Sequence, residues 1–369
     1  MSADLRLYAL PHSLYSAKTR ANLRCKGLAF AETPATLLRI KRVLQPRTGL
    51  AMIPVLELGN GVLIQDTSVI FDALEGLYPE PALLPSHPEM RLAAYLLELF
   101  ADEWLLLPAM HYRWDYLADP EHRADIEAHF GLLLSAQAPQ WLRRQVGSML
   151  GKTFHQFLPG LGINERTRPV IQQRYGNLLD TLQAHLRQYP YLLGSRPSLA
   201  DVAMMGPLHA HLGRDLVPRR LMQERSPAVF DWVQRVHEGA AVSPGGDWLE
   251  AVPSSLDAVF KQLFEDFWPF LQNSATRVQE WIKEHPGRVL PRGVGNIAFE
   301  LGPIQSQRAV TPYSVWMAQR SLNQAQVMQQ SGALDQSAWL QRTGGLAALR
   351  DADWPRLQRI SNRILPGVR

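Results

Sequence analysis

Ile53-Pro54-Val55-Leu56-Glu57-Leu58, followed by Gly61-Val62-Leu63-Ile64-Gln65 and Asp66-Thr67-Ser68-Val69-Ile70, is the stretch on which the fold turns. Two short apolar runs flank Gly59-Asn60-Gly61, the pattern of a β-hairpin whose turn needs positive φ. Pro54 opens the first run, where its missing N–H disturbs a strand least. Asp66 and Thr67 carry side-chain oxygens suited to capping the first turn of a helix, expected over 67–78.

Upstream, Leu5–Leu10 reads as a buried strand, Pro11–Ser16 as a break, and Ala17–Gly27 as a helix closed by its terminal glycine. A second strand is expected at Ala29–Thr33 and a basic helical stretch around Leu37–Leu44. Far downstream, Tyr191-Leu192-Leu193-Gly194-Ser195-Arg196-Pro197-Ser198-Leu199-Ala200-Asp201 puts Ser198 and Asp201 at N-cap and N3, a capping box that builds the fold and does not touch substrate. Ser226–Arg235 reads as a further helix.

Together these segments resemble the glutathione S-transferase superfamily over about residues 5–240. Ser13-x-x-Ser16 followed by Lys18-Thr19-Arg20 is similar to its active-site loop, Ile53-Pro54-Val55 to its ligand-facing cis-proline strand, and Asp66-Thr67 to its acidic-Ser/Thr pair. The 191–203 segment resembles the start of the buried sixth helix of its all-α domain. The resemblance implies an α/β thioredoxin-like domain at 1–80, an all-α domain at 88–240 and a mostly helical C-terminal extension at 248–369 that the family does not require.

It also implies glutathione as co-substrate, and no metal. The attacking species is the thiolate, which a hydroxyl at a helix N-terminus stabilises with help from the peptide dipoles. Ser13 matches the thiolate-contacting position best, with Tyr15 and Ser16 as alternatives. A serine at position 13 cannot form a mixed disulfide, so thiol–disulfide reduction is not expected. Ile53, beside Pro54, would pair its backbone with the cysteinyl unit; Asp66 would face the γ-glutamyl ammonium and Thr67 its carboxylate. The family more often has Glu-Ser than Asp-Thr here. Lys41, Arg42 and Arg47 are candidates for the glycyl carboxylate. The electrophile pocket would be apolar, built from Met110, His111, Tyr112, Trp114 and Tyr116, with core packing as the competing use of these rings.

Composition narrows the classes. No apolar run is long enough for a transmembrane helix, and the first residues lack the pattern of a signal peptide. One cysteine, Cys25, excludes an intrachain disulfide and reads as a buried structural thiol. These features fit a cytoplasmic setting, and the resemblance implies a role in detoxification. Formal charge is +4, from 38 basic and 34 acidic residues that are dispersed, so nucleic acid is not an expected partner and neither is a membrane. The expected partners are a small hydrophobic electrophile and a second copy of the chain in a homodimer.

Pro79–Pro88 is a proline-rich domain boundary. Helices are expected at 89–104, 120–134 and 169–188, and 137–159 reads as a broken amphipathic insertion able to roof part of the cleft. In the extension, 254–284 reads as helical with an interruption at Pro269, 289–291 and 296–301 as short extended pieces, and 311–320 as the start of another helix. Its aromatic residues are too many to leave in water, so it should pack on the helical domain, reshape the electrophile side and leave the glutathione half unchanged. Three readings follow: a transferase acting on an apolar electrophile, a glutathione-dependent isomerase or ether-cleaving enzyme at the same site, and a non-catalytic binding protein with a transferase fold.

Overall fold

A computed structural model of the chain describes residues 5–135, 137–239, 246–350 and 352–367. Residues 240–245, which join the helical domain to the extension, lie outside the described residues.

The first domain is a four-stranded sheet in the order β2-β1-β3-β4. β1 (Leu5–Ala9) crosses over through α1 (Leu14–Cys25) to the parallel β2 (Phe30–Pro34). An irregular helix, α2 (37–48), leads to β3 (Val55–Glu57), antiparallel to β1, and a hairpin returns as β4 (Leu63–Gln65). Within that turn Gly61 adopts the positive φ, 83°. The β1–β3 register sets Leu7 opposite Leu56 and Tyr8 opposite Val55, so the central strands are buried from both sides. α3 (Thr67–Leu77) is capped by Asp66, whose Oδ1 accepts from the N–H groups of Ser68 (3.0 Å) and Val69 (3.2 Å).

The helical domain opens with α4 (88–104), whose last turn, 100–104, widens to i→i+5 hydrogen bonding. It continues through α5 (Leu106–Trp114), α6 (Pro120–Gly131), α7 (Gln140–His155), α8 (Arg168–Leu186), α9 (Leu199–Ala210), α10 (Leu216–Arg225) and α11 (Pro227–Glu238). α9 is the pin of the two-domain body. Its capping box forms as expected, with Asp201 Oδ2 accepting from Ser198 N (2.9 Å) and Oγ (2.8 Å), while Oδ1 takes Leu192 N and Trp232 Nε1. α1 packs on α9 and α11, and Gly206 permits the approach because a Cβ there would sit 3.0 Å from Leu14 O. Cys25 is buried in this interface, its thiol against Val236 O, and burial pushes it up to about 12.

α7 does not roof the cleft. It folds back on α6 instead, so close that a Cβ on Gly147 would meet Glu127 O at 2.1 Å. Gly147 therefore faces α6 and Gly151 faces the Trp114 ring at the end of α5, and neither breaks the helix.

The extension is folded onto both domains. Helix α12 (257–284) runs through Pro269 without a break. The preceding turn, 263–267, is widened, which absorbs the carbonyl that proline cannot bond. The extended piece expected at 296–301 is β5 (Asn296–Leu301); its pairing in a hairpin with β6 (Ile304–Ala309) was not foreseen, and it leads to α13 (Pro312–Gln330), which lies along α4. Three short helices and a second unforeseen hairpin, β7 (Leu357–Ile360) with β8 (Arg363–Pro366), close the described chain. Phe260, Phe267, Trp268 and Trp339 are buried, joining the main core.

The glutathione half is not left unchanged by this extension. Arg320 ion-pairs with Asp72 of α3 (2.7 Å), Asn362 donates to Thr48 O (2.7 Å), and Arg359 holds both the backbone and side-chain oxygens of Gln65. α13 lies along α4 and reaches α3 through Arg320 and Asp72. Among the described residues no helix is long and apolar enough to cross a membrane.

Candidate active site

A cavity of ≈ 570 Å³ lies where the sheet domain, the helical domain and the extension meet. Its floor is Ile53, Pro54, Gln65, Asp66 and Thr67, with Tyr15 from the start of α1. The Ile53–Pro54 peptide is cis, as expected from the resemblance. Glu103 and Leu106 form one side. The extension supplies the roof from three segments, around Val289–Arg292, Thr311–Tyr313 and Arg359–Ile364.

Most of the floor was legible in sequence, but which of the three named hydroxyls reaches it was not. Ser13 Oγ accepts from Ser16 N (3.3 Å), and Ser16 Oγ accepts from Leu10 N (3.3 Å) in a fully buried position. Both serines are occupied in shaping the helix start, and neither lines the cavity. Tyr15 does line it, its phenol donating to Asp102 O (3.2 Å) across the cleft floor. Burial, with Glu103 and Asp102 nearby, holds that phenol well above its ordinary range, so it is a neutral donor at any physiological pH.

The basic candidates also move. Arg47 spans the hairpin on its outer side, to Glu57 (3.2 Å) and Gly61 O (2.7 Å), and Lys41 and Arg42 are exposed away from the cavity. The guanidinium groups in the wall are Arg292, Arg359 and Arg363, all from the extension. No sequence pattern pointed to them, because they lie on short strands and loops of a segment without a family counterpart.

Met110, His111, Tyr112 and Trp114 do not build the pocket. His111 pairs with Asp115 (2.7 Å) and Gln172 (3.1 Å), Tyr112 stacks on Tyr116, and Trp114 stacks on Phe154 of α7. α5 turns these side chains and half-buried Met110 toward the helical core, and the residue before them, Leu106, meets the cavity.

Glu103 was overlooked, although an acidic run inside an otherwise apolar helix, Glu98…Asp102-Glu103, was a visible signal. Glu98 and Asp102 share the buried ammonium of Lys18 (2.8 and 2.5 Å), and Glu98 also meets Ser68 Oγ and Arg320. Among the described residues Glu103 has no such cation. Ser314 Oγ of α13 donates to its Oε2, while Arg308 donates to its backbone carbonyl and not to its carboxylate. Burial pushes the Glu103 carboxyl up to about 7. Asp66 receives a 2.6 Å hydrogen bond from Tyr313 Oη on Oδ2, opposite the oxygen that caps α3.

A thioredoxin-like sheet followed by an all-α domain, with a cleft beside a cis-proline strand and an Asp-Thr helix start, defines a two-domain class of fold. The chain belongs to the glutathione S-transferase superfamily: residues 7–82 match its N-terminal domain and residues 121–235 its C-terminal domain. Maleylacetoacetate isomerase of Pseudomonas aeruginosa is 33% identical over 92 residues, which are 24% of this chain and 43% of that protein. The chain thus spans less than half the length of that curated relative. Among solved structures, the beta-etherase LigF from Sphingobium sp. strain SYK-6 is 20% identical, with 63% of this chain and 94% of that chain covered and a TM-score of 0.44. The glutathione transferase GSTFuA3 from Phanerochaete chrysosporium is 17% identical, covering 66% and 100%, with the same TM-score of 0.44.

Proposed function

We propose that the chain is a glutathione-dependent enzyme in which the glutathione thiolate attacks an electrophilic carbon bound in the cavity. The observation that carries this reading is the convergence of Ile53, Asp66, Thr67 and Tyr15 on one cavity open to a ligand. The backbone of Ile53 offers an edge-strand partner for the cysteinyl unit, and the α3 N-terminus with Thr67 suits the γ-glutamyl carboxylate. Asp66 suits the ammonium. The thiol end then falls toward α1, where Tyr15 is the hydroxyl in the cavity wall and replaces Ser13 as the preferred thiolate partner. The glycyl carboxylate is matched by the arginines of the roof rather than by Arg47. The name of the P. aeruginosa relative, an isomerase, keeps an isomerisation at the same site as the alternative outcome.

Isothermal titration of the full chain with glutathione tests binding, and a panel of activated electrophiles tests turnover. Saturable binding that is lost in Asp66→Ala and Thr67→Ala, with thiol-dependent turnover, is expected. Absence of binding leaves the fold without this function, and binding without turnover on any electrophile would favour a carrier or regulatory role.

A further inference from the structure

The reactive end of the cavity holds one carboxyl that the binding of glutathione does not use. Glu103 sits on the widened turn 100–104, which rotates its side chain into the cavity wall beside Tyr15, Asp66 and Tyr313. One carboxyl oxygen, Oε2, is fixed by Ser314 Oγ. The other, Oε1, makes no hydrogen bond to any described residue, and no guanidinium or ammonium group among them pairs with the carboxylate. Lys18 is held by Glu98 and Asp102, and Arg308 gives one N–H to the Glu103 carbonyl oxygen while its plane lies over Trp104 and Phe270, so neither pairs with the carboxylate. A buried carboxyl with one oxygen anchored and one free toward a cavity is arranged to hold and deliver a proton.

We propose that Glu103 is the acid that protonates the leaving group, and that the cavity therefore takes electrophiles whose departing atom is an oxygen, such as aryl or alkyl ethers. The inference rests on glutathione being the nucleophile. In the step, the thiolate sulfur forms a bond to the electrophilic carbon as the C–O bond breaks. The electron pair of that bond goes to oxygen, and the proton on Glu103 Oε1 moves to the same oxygen, releasing an alcohol or phenol and a thioether. Glu103 is left as a carboxylate, and the proton shed when the next glutathione thiol ionises resets it. A halide departs as a weak base and needs no such proton, whereas an alkoxide or phenoxide is a strong base and does.

The surroundings set the operating range. Asp102 on the same turn and Asp66 at the start of α3 disfavour a further negative charge, Arg308 on β6 and the Ser314 hydroxyl favour it, and Tyr15 and Tyr313 are neutral phenols. With desolvation the largest effect, the carboxyl holds its proton up to about pH 7, near the optimum for general acid catalysis at physiological pH. Ser314 belongs to the extension, so the extension acts as a positioning element for this acid, and Ser314 is a positioning residue.

The test uses full-length wild type, Glu103→Gln and Ser314→Ala, with a nitroaryl chloride and a series of nitroaryl phenyl ethers that share the same electrophilic carbon. Titration with glutathione is run on each protein. Expected are a loss of ~10²–10⁴-fold in kcat/KM for ethers in E103Q, growing as the leaving phenol becomes more basic, and a loss at least tenfold smaller with the chloride. In wild type the ether rate should fall above pH ~7, and S314A should move that fall to higher pH because the hydroxyl had favoured the carboxylate. Equal losses with chloride and ether while glutathione still binds, a wild-type ether rate with no pH limb, or no cleavage of any ether by wild type that binds glutathione, would overturn the proposal. Should E103Q fail to fold, the wild-type pH limb and its dependence on phenol basicity decide by themselves. Failure of wild type to bind glutathione is a separate result, which removes the thiolate reading and this acid's role with it.

Discussion

Tyr313 Oη donates a 2.6 Å hydrogen bond to Asp66 Oδ2, joining two residues 247 positions apart at the floor of the cavity. Asp66 holds φ at 95° and caps α3 with its other oxygen, so the tyrosine completes the orientation of a carboxylate that the helix start alone fixes on one side. The extension thereby takes part in the glutathione half of the site. Tyr313→Phe is expected to raise the dissociation constant for glutathione by about 5–10-fold, in line with ~1.5 kcal/mol for a hydrogen bond to a charged group. Titration calorimetry at one pH reads this. An unchanged or tighter constant would mean that Tyr313 competes with the ligand for Asp66.

Arg320 carries the extension into a buried charge network. Its Nε meets Glu98 at 3.1 Å, and its guanidinium forks onto Asp72. Lys18 is shared between Glu98 and Asp102, so removing Arg320 leaves more carboxylate charge than cation in a dry site. Arg320→Ala should cost about 3–5 kcal/mol of stability, measured by chemical denaturation. Arg320→Lys should recover only part, because a single ammonium cannot reach Glu98 and fork onto Asp72 together.

The two hydroxyls of the first turn should separate. Ser13→Ala removes the N-cap of α1 and should lower stability by ~0.5–2 kcal/mol with little change in turnover at a temperature where the protein is folded. Tyr15→Phe should lower kcat by ~10²-fold or more with a small effect on glutathione affinity. A larger kinetic loss for Ser13→Ala would return the thiolate to the serine.

Glu103 also gives stability a pH dependence of defined sign. Its pKa is raised from 4.5 to about 7 in the folded protein, so between these values the native state binds a proton that the unfolded chain has released. Stability from this group is therefore full below about pH 4.5 and is lost as pH rises toward 7. Relative to Glu103→Gln, wild type should lose about 2–3 kcal/mol between pH 5 and 8, on a scale of ~1.4 kcal/mol per pH unit. Parallel stability curves for the two proteins would contradict the raised value.

Truncation after Asp247 should yield an aggregating protein. It would strip the partners of α4 and α8 and remove Arg308, Tyr313, Ser314 and Arg320 together. Light scattering and solubility after expression measure this. A soluble truncate with the substrate preference of the full chain would show that the extension is an accessory, contrary to its place in the cavity roof.

The strand and helix order of the first domain, the Asp66 cap and the Ser198–Asp201 box were all legible in sequence. Each is a local matter of hydrophobic period, turn chemistry or hydrogen bonding within a few residues. The misread features were those where local signals were ambiguous. Gly147 and Gly151 look like breaks but are close-packing positions, and Pro269 looks like a stop but is absorbed by a widened turn. The rings of α5 fit a pocket by type, and only packing decides that His111, Tyr112 and Trp114 face Asp115, Tyr116 and Phe154.

By itself the sequence determined the family, the α/β and all-α halves, and the Ile53–Pro54 and Asp66–Thr67 floor of the cleft, because these depend on neighbours a few residues away. Only the tertiary structure decided that Tyr15 and not Ser13 reaches the cavity, that Glu103 enters it with no cation on its carboxylate, and that the extension roofs it with Tyr313, Ser314 and arginines. The physical reason is that such a wall is built by burial between segments far apart in sequence, as Gln65 and Arg359 are at 294 positions, and no local pattern records which of many buried or charged side chains will meet there.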